Sequence, residues 1–347
     1  MFVGEPVGCI NTYIMIGTDV IELPSYEILA KIDSGSFATV SRAQHKQTGS
    51  HVAIKFVNKA RSNKQDVQNE LRALKELCHP NICQLYQAII KPQFVCLVMQ
   101  LCQGEGSLHD YIKEYGRLHE ELALKIFRQI VGAVNYVLDK GFCHRDIKPR
   151  NIMLESDMTV KLIDFGLAVE IEKVSVSGCR RAGTLSYLPP EVLEGNYDPI
   201  KADMWSLGVT LYEMITSHRP FVQEKDENLC DLIKSGKYKI YSYFSTGITG
   251  ILAQLMEMDP TKRLSIKEVK EHPLLNSQDL KTEPKGDCLD KENLDQKCVS
   301  KLCKLYGVSQ QKMRDMVAEW KFNDITANYI MTLENMKKGK DSKCLIM

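Results

Sequence analysis

His144-Arg145-Asp146-Ile147-Lys148-Pro149-Arg150-Asn151 is the stretch on which the reading of this sequence turns. Its aspartate, lysine and asparagine together suit one chemical task. Asp146 can accept a proton from a hydroxyl, Lys148 can neutralise a phosphate, and Asn151 can hold a hard cation through its amide oxygen. Further on stands Asp164-Phe165-Gly166, where Asp164 is the carboxylate expected to bind a magnesium ion that bridges phosphates. The residues between, Val160-Lys161-Leu162-Ile163, read as a short strand. Either motif alone carries little. In this order the two fit transfer of a phosphoryl group, which asks of a protein mainly placed charge and an aimed hydroxyl.

The upstream sequence supplies the parts that would hold a nucleotide. Ile32-Asp33-Ser34-Gly35-Ser36-Phe37-Ala38-Thr39-Val40 fits a glycine-rich hairpin whose backbone amides approach phosphate. Of the pattern GxGxxGxV only the middle glycine, Gly35, is present. Asp33 and Ala38 take the outer places, and an acid near phosphate is unfavourable. Val52-Ala53-Ile54-Lys55 ends a strand on a lysine suited to the α/β-phosphates, with Glu70 on a predicted helix over 66–78 as the carboxylate that orients it. Downstream, Glu191 of Pro189-Pro190-Glu191 has Arg263 as its expected buried partner. Asp203 is expected to cap a helix over 203–216 or to brace the catalytic loop.

The 347-residue chain as a whole is ordinary in composition, with 44% hydrophobic and 26% charged residues and a formal net charge of +1. Near neutrality excludes a bulk pull toward nucleic acid. Twelve cysteines without a CxxC pair, and no signal-like opening, point to free thiols in a reducing compartment. Residues 1–25 show no clear period. Residues from Tyr26 to Val57 read as three antiparallel strands broken at Ser34-Gly35-Ser36 and Thr48-Gly49, and 94–101 as another strand. Leu122, Ile126, Ile130, Val134 and Val137 mark one face of a long helix ending at Gly141. Further helices are expected over 227–235, 248–258 and 265–271. Residues 276–294 read as a linker, 295–335 as a helical domain and 336–347 as a basic tail.

Residues 26–275 resemble a eukaryotic protein kinase domain. Lys148-Pro149, and Gly183-Thr184 before Tyr187, resemble the serine/threonine branch. Asn81-Ile-Cys-Gln-Leu-Tyr86, Phe127-Arg-Gln-Ile-Val131, Leu162-Ile-Asp-Phe-Gly-Leu167 and Glu319-Trp320-Lys-Phe-Asn-Asp-Ile-Thr-Ala-Asn-Tyr329-Ile resemble the maternal embryonic leucine zipper kinase family, relatives of the AMP-activated kinases. The resemblance implies an α+β fold of two lobes. A five-stranded antiparallel sheet with one helix precedes a helical lobe, and a three-helix ubiquitin-associated-like domain follows. It implies ATP and Mg2+ as cofactors and protein serine or threonine hydroxyls as substrates, in cell-division signalling in the cytoplasm. ATP is expected between the lobes, its adenine paired with backbone from Gln100 to Cys102, Met99 guarding the pocket, and Ala53 and Met153 on either side of the ring. The resemblance covers roughly 26–340; the family's long linker and C-terminal membrane-binding domain have no counterpart in it.

Three departures qualify these expectations. Relatives carry a phosphorylatable threonine where this chain has Arg180, with Ser175 and Ser177 the nearest hydroxyls. Relatives that favour arginine upstream of the target carry glutamates where this chain has Ser107 and Arg150. The end, Cys344-Leu345-Ile346-Met347 after Lys337, Lys338, Lys340 and Lys343, has the form of a C-a-a-X box, so Cys344 is expected to be farnesylated and to draw the chain to membranes. Two other functions stay open: a scaffold without turnover, and ubiquitin binding by the helical domain, which otherwise braces the kinase.

Overall fold

The computed structural model of the chain describes residues 12–16, 19–35, 38–173, 181–195, 197–223, 228–276 and 293–339. Ser36, Phe37, Ser175, Ser177, Arg180 and Cys344 lie outside them. The strands are β1 (Tyr13–Ile16), β2 (Asp19–Glu22), β3 (Tyr26–Ser34), β4 (Ala38–His45), β5 (His51–Asn58), β6 (Leu85–Ile90), β7 (Phe94–Gln100), β8 (Gly104–Ser107), β9 (Phe142–Cys143), β10 (Ile152–Glu155), β11 (Val160–Leu162) and β12 (Val169–Glu170). The helices are α1 (Lys64–Glu76), α2 (Leu108–Tyr115), α3 (Glu120–Asp139), α4 (Pro190–Glu194), α5 (Pro199–Thr216), α6 (Leu229–Ser235), α7 (Thr246–Leu255), α8 (Ile266–Glu271), α9 (Gln296–Tyr306), α10 (Gln310–Ala318) and α11 (Asp324–Lys337). The chain divides into two compact units, Met1–Lys64 with Gln84–Leu101 and Leu289–Met347, and Gln65–Cys83 with Cys102–Cys288.

The first unit is built on a five-stranded antiparallel sheet in the order β3-β4-β5-β7-β6. Central β5 and β7 are nearly continuous apolar runs, and Val52, Ile54, Phe56, Val95, Leu97 and Val98 are buried, as strands covered on both faces require. β1 and β2 form a hairpin that gave no clear signal in the sequence, because Tyr13, Met15 and Val20 keep large apolar side chains exposed and so blur the alternation. The three helices α9–α11 belong to this unit, and α11 packs against β6. Tyr26 donates to Gln87 Oε1 at 2.5 Å, and Gln87 donates to Asp324 Oδ1 at 2.7 Å. Tyr86 donates to Glu334 at 2.7 Å, and the Ala88 amide to the Phe322 carbonyl at 2.9 Å. This is the geometry expected of a brace.

The second unit is helical, and the helix expected beside the sheet, α1, groups with it. The amide of Cys83 donates to the carbonyl of Leu162, and that of Leu162 to the carbonyl of Asn81, each within 3.0 Å. α3 buries the face that the sequence marks, including Ile126, Ile130, Val134 and Val137. α5 is buried almost all round, as a helix through the middle of a core must be. At Gly208 a Cβ would stand 2.8 Å from the Met256 side chain, so only glycine lets α7 approach there. α5 begins at Pro199, earlier than the hydrophobic pattern suggests, because Asp198 caps it by accepting from the Ile200 amide at 2.8 Å. Asp203 therefore lies inside the helix and does not cap it. Among the described residues no helix is long and apolar enough to cross a membrane.

Candidate functional site

The loop from β9 to β10 carries most of the chemistry. Arg145 takes a left-handed backbone conformation with φ 63°, which a non-glycine residue holds only when its surroundings impose it. Here the imposing group is Asp203 on α5. Its two carboxylate oxygens accept from the amides of His144 and Arg145, both at 2.9 Å. Asp203 is 1% exposed, and burial pushes its carboxyl up to about 6, against the pull of those two amides and of the nearby His144 and Arg145. The His144 ring contacts the Ile163 carbonyl at 3.0 Å and meets Phe165 edge-on at 4.8 Å. This fixes the segment that carries Asp164.

Both oxygens of Asp146 are engaged. Oδ2 accepts from Lys148 Nζ at 2.6 Å and from Asn151 Nδ2 at 2.9 Å. Oδ1 accepts from the amide of Thr184 at 3.1 Å and from its hydroxyl at 2.9 Å. Lys148 also donates to Thr184 Oγ1 at 2.6 Å. Asn151 directs its NH2 at the carbonyl and carboxylate of Asp146, which assigns its amide oxygen to the other side of the group. The Ile163 amide donates to the carbonyl of Asn151 at 2.9 Å, linking that asparagine to the strand before Asp164. An amide oxygen and a carboxylate are hard donors too few to cage a metal alone, which fits a magnesium ion that takes its remaining ligands from phosphates and water. Among the described residues there is no cluster of three or more His, Cys, Asp or Glu side chains for a metal.

Gly183 makes the approach of Thr184 possible. Its φ is 104°, and a Cβ there would fall 2.6 Å from the Arg145 carbonyl oxygen and 2.8 Å from Leu188. Arg145 donates through Nε to the Leu167 carbonyl at 2.7 Å and through Nη1 to the Tyr197 hydroxyl at 3.4 Å. Arg72 on α1 pairs with Glu170 on β12, which also pairs with Lys173 at 2.6 Å. Behind the site, Arg263 is fully buried and meets Glu191 in a two-pronged bridge at 2.6 and 3.1 Å, as expected from the sequence.

In the sheet unit, β3 and β4 form the expected hairpin. Ser34 pairs with Thr39, and the Gly35 amide donates to the Ala38 carbonyl at 2.9 Å. Asp33 Oδ1 accepts from the Ser34 amide at 2.7 Å, and Ile32 points outward. Lys55 lies on β5 opposite Val40, and Ala53 lies opposite Met99 on β7. The amide of Gln100 donates to the Gln84 carbonyl at 2.9 Å, so it is not offered to a base. Glu70 is buried on α1, and Met153 is half-buried on β10. Cys102 follows β7, half-buried.

The protein kinase domain family matches residues 26–275. The chain belongs to the protein kinase family. A second match, the UBA domain of maternal embryonic leucine zipper kinase, covers 294–338, the three helices α9–α11. The chain is 35% identical to maternal embryonic leucine zipper kinase of Xenopus laevis over 331 residues, 92% of this chain and 49% of that protein. It is 34% identical to the Danio rerio kinase of that name over 328 residues, 92% and 48% of the two chains. It is 35% identical to sperm motility kinase 2B of Mus musculus over 325 residues, 91% and 65%. The chain thus spans about half the length of the first two kinases. These matches lend no support to lipidation at Cys344.

The kinase motifs are legible as motifs; of their partners, Asp203 and Arg263 are expected from the sequence, and the contacts of Thr184 and Tyr197 are not. Thr184 was read as a marker of the serine/threonine branch; its contact with Asp146 spans 38 residues. Tyr197 carried no signal. The slot at Ser107 is occupied by a capping box: its hydroxyl donates to Oδ2 of the N3 carboxylate, Asp110, at 2.5 Å, and the Asp110 amide donates back to the Ser107 hydroxyl at 3.1 Å. The pattern Ser-x-x-Asp ahead of Tyr111 and Ile112 held that signal.

Proposed function

We propose that this chain is an ATP- and magnesium-dependent protein serine/threonine kinase. The observation that carries the reading is the Asp146 carboxylate, held by Lys148, Asn151 and Thr184 within 3.1 Å. Such a carboxylate is oriented before a substrate arrives, which is where most of the catalytic advantage of a positioned base lies. Asp146 accepts the proton of the substrate hydroxyl as it attacks. Lys148 lies between Asp146 and Thr184 and places positive charge beside the attacking oxygen. Asn151 and Asp164 are the residues that would hold magnesium, and Lys55 is the one for the α/β-phosphates. When bound, the metal neutralises charge between the phosphates. Thr184 beside the base supports serine and threonine as acceptors. By likeness to maternal embryonic leucine zipper kinase, we assign the substrates to cell-division signalling in the cytoplasm.

A scaffold without turnover is favoured by one observation, the presence of Gly35 alone in the phosphate hairpin with Asp33 beside it. A single experiment separates the two readings. The purified chain is incubated with radiolabelled Mg-ATP and a protein mixture, and phosphoamino acids are identified after hydrolysis. Phosphoserine and phosphothreonine are expected, with a loss of at least 100-fold in Asp146→Asn. Absence of label in wild type would establish the scaffold, and turnover of Asp146→Asn within tenfold of wild type would sink Asp146 as the base.

A further inference from the structure

Two guanidinium groups of the helical unit belong to, or are bonded to, the segments that hold Asp146. Arg150 sits in the turn Pro149–Asn151, next to the asparagine that holds Asp146. Its Nη2 donates to Nε2 of His109 on α2 at 3.1 Å, and Nδ1 of His109 lies 4.0 Å from Glu213 on α5. Arg219, just past α5, donates through Nη1 to the Ser186 hydroxyl at 2.6 Å. Ser186 stands two residues after Thr184, which holds the other oxygen of Asp146. Both arginines are exposed.

The carboxylates in this group are engaged by neutral donors. Glu213 is buried and accepts from the Tyr187 hydroxyl at 2.5 Å. Asp110 accepts from the hydroxyl and amide of Ser107 at 2.5 and 3.3 Å. Glu213 is thus held inward, Asp110 is exposed with its charge met by the Ser107 donors, and both guanidinium groups are presented to solvent. An incoming lysine or arginine meets two like charges, and the exposed carboxylate of this group, Asp110, already accepts two hydrogen bonds from Ser107. An extended peptide advances about 3.3 Å per residue. With its hydroxyl at Asp146, side chains two to four residues away pass within reach of the two guanidinium groups. A guanidinium suits a carboxylate or phosphate because its forked N–H groups match the paired oxygens.

We propose that Arg150 and Arg219 form a subsite that reads an acidic group, a carboxylate or a phosphorylated side chain, two to four residues from the hydroxyl that receives phosphate. His109 is its positioning residue: by accepting from Arg150 it fixes the orientation of that guanidinium. The inference rests on the kinase reading above and names the substrate class for it.

The test uses the full chain and peptides with one serine. Aspartate, phosphoserine, alanine or arginine is placed in turn at each of the four positions on either side. Two quantities are read: kcat/KM, and binding by fluorescence anisotropy of matching peptides whose acceptor is alanine, which needs no turnover. At one or more positions within reach, the acidic peptides should exceed the alanine peptide by roughly tenfold in both, with arginine below alanine. Arg150→Glu should invert the order of aspartate and arginine peptides. Arg219→Glu is a second variant, and thermal melting checks that each is folded. A phosphoserine preference well above that for aspartate would identify a substrate already phosphorylated by another kinase; equal preference would identify acidic sequence. Binding that favours acid without any turnover would leave the subsite standing and overturn the kinase reading. Turnover that does not distinguish acid from alanine, or a preference unmoved in both folded variants, would overturn the subsite.

Discussion

On the kinase reading proposed above, the loop around Asp146 and the hairpin around Gly35 would serve the same reaction, and they are built to different tolerances. At Asp146 both carboxylate oxygens accept two hydrogen bonds each, from three residues drawn from two segments. The backbone beneath is held by Asp203, and Gly183 is in contact distance of the Arg145 carbonyl. At Gly35 a backbone hydrogen bond runs to Ala38, and among the described residues an added Cβ would meet that carbonyl oxygen at an ordinary 3.8 Å. The first region cannot shift without breaking polar contacts inside protein. The second can take substitutions such as Asp33 and Ala38 and still be a hairpin. The chemistry is fixed tightly, while the grip on the nucleotide is left loose.

The largest test of that contrast is Gly183→Ala. The new Cβ collides with backbone, so Thr184 must retreat from Asp146. Misplacement on the scale of 1 Å costs about 100-fold in rate, and a fall of that size in kcat is expected with protein that still melts cooperatively. A loss under fivefold would mean that the loop is no tighter than the hairpin.

A smaller effect concerns Asp203. Its carboxyl in the fold is raised to about 6 from 3.8, so the folded protein takes up this proton before the unfolded chain does. The burden of burying the charge is complete above pH 6 and is gone below pH 4. Relative to Asp203→Asn, which cannot titrate, wild type should gain stability as pH falls from 7 to 4, by roughly 3 kcal/mol. Urea unfolding of both proteins across that range measures the gap, and a gap independent of pH would show that the amides of His144 and Arg145 keep the carboxylate ionised throughout. The smallest effect is in the hairpin: Asp33→Gly removes an anion from the phosphate side and should lower KM for ATP about threefold with kcat little changed. A change in kcat without one in KM would place Asp33 outside nucleotide binding.

The same contrast explains what the sequence made legible. His144 to Asn151 and Asp164 to Gly166 are contiguous, so their chemistry can be read without knowing the fold. Long helices such as α3 declare themselves because one face is apolar over five turns. Asp203 was placed correctly as a brace for the catalytic loop but not as a cap, since the proline and aspartate that begin α5 stand four and five residues earlier. Thr184, Tyr197 and the pair Arg72 and Glu170 depend on approaches between distant segments, and no local pattern encodes them. The hairpin β1–β2 was missed for the opposite reason: its exposed apolar residues imitate a buried segment.

The hydrogen-bonded chain from Tyr26 through Gln87 to Asp324 has a consequence for how this sequence can drift. Gln87 is buried between two partners, one 61 residues before it and one 237 residues after it. Loss of either leaves a buried amide group unmatched, at a cost of about 1–3 kcal/mol, a large share of the stability of a domain. Descendants of this chain can alter these three positions together far more readily than one at a time. The three-helix region is thereby placed under the same inheritance as the sheet it packs against.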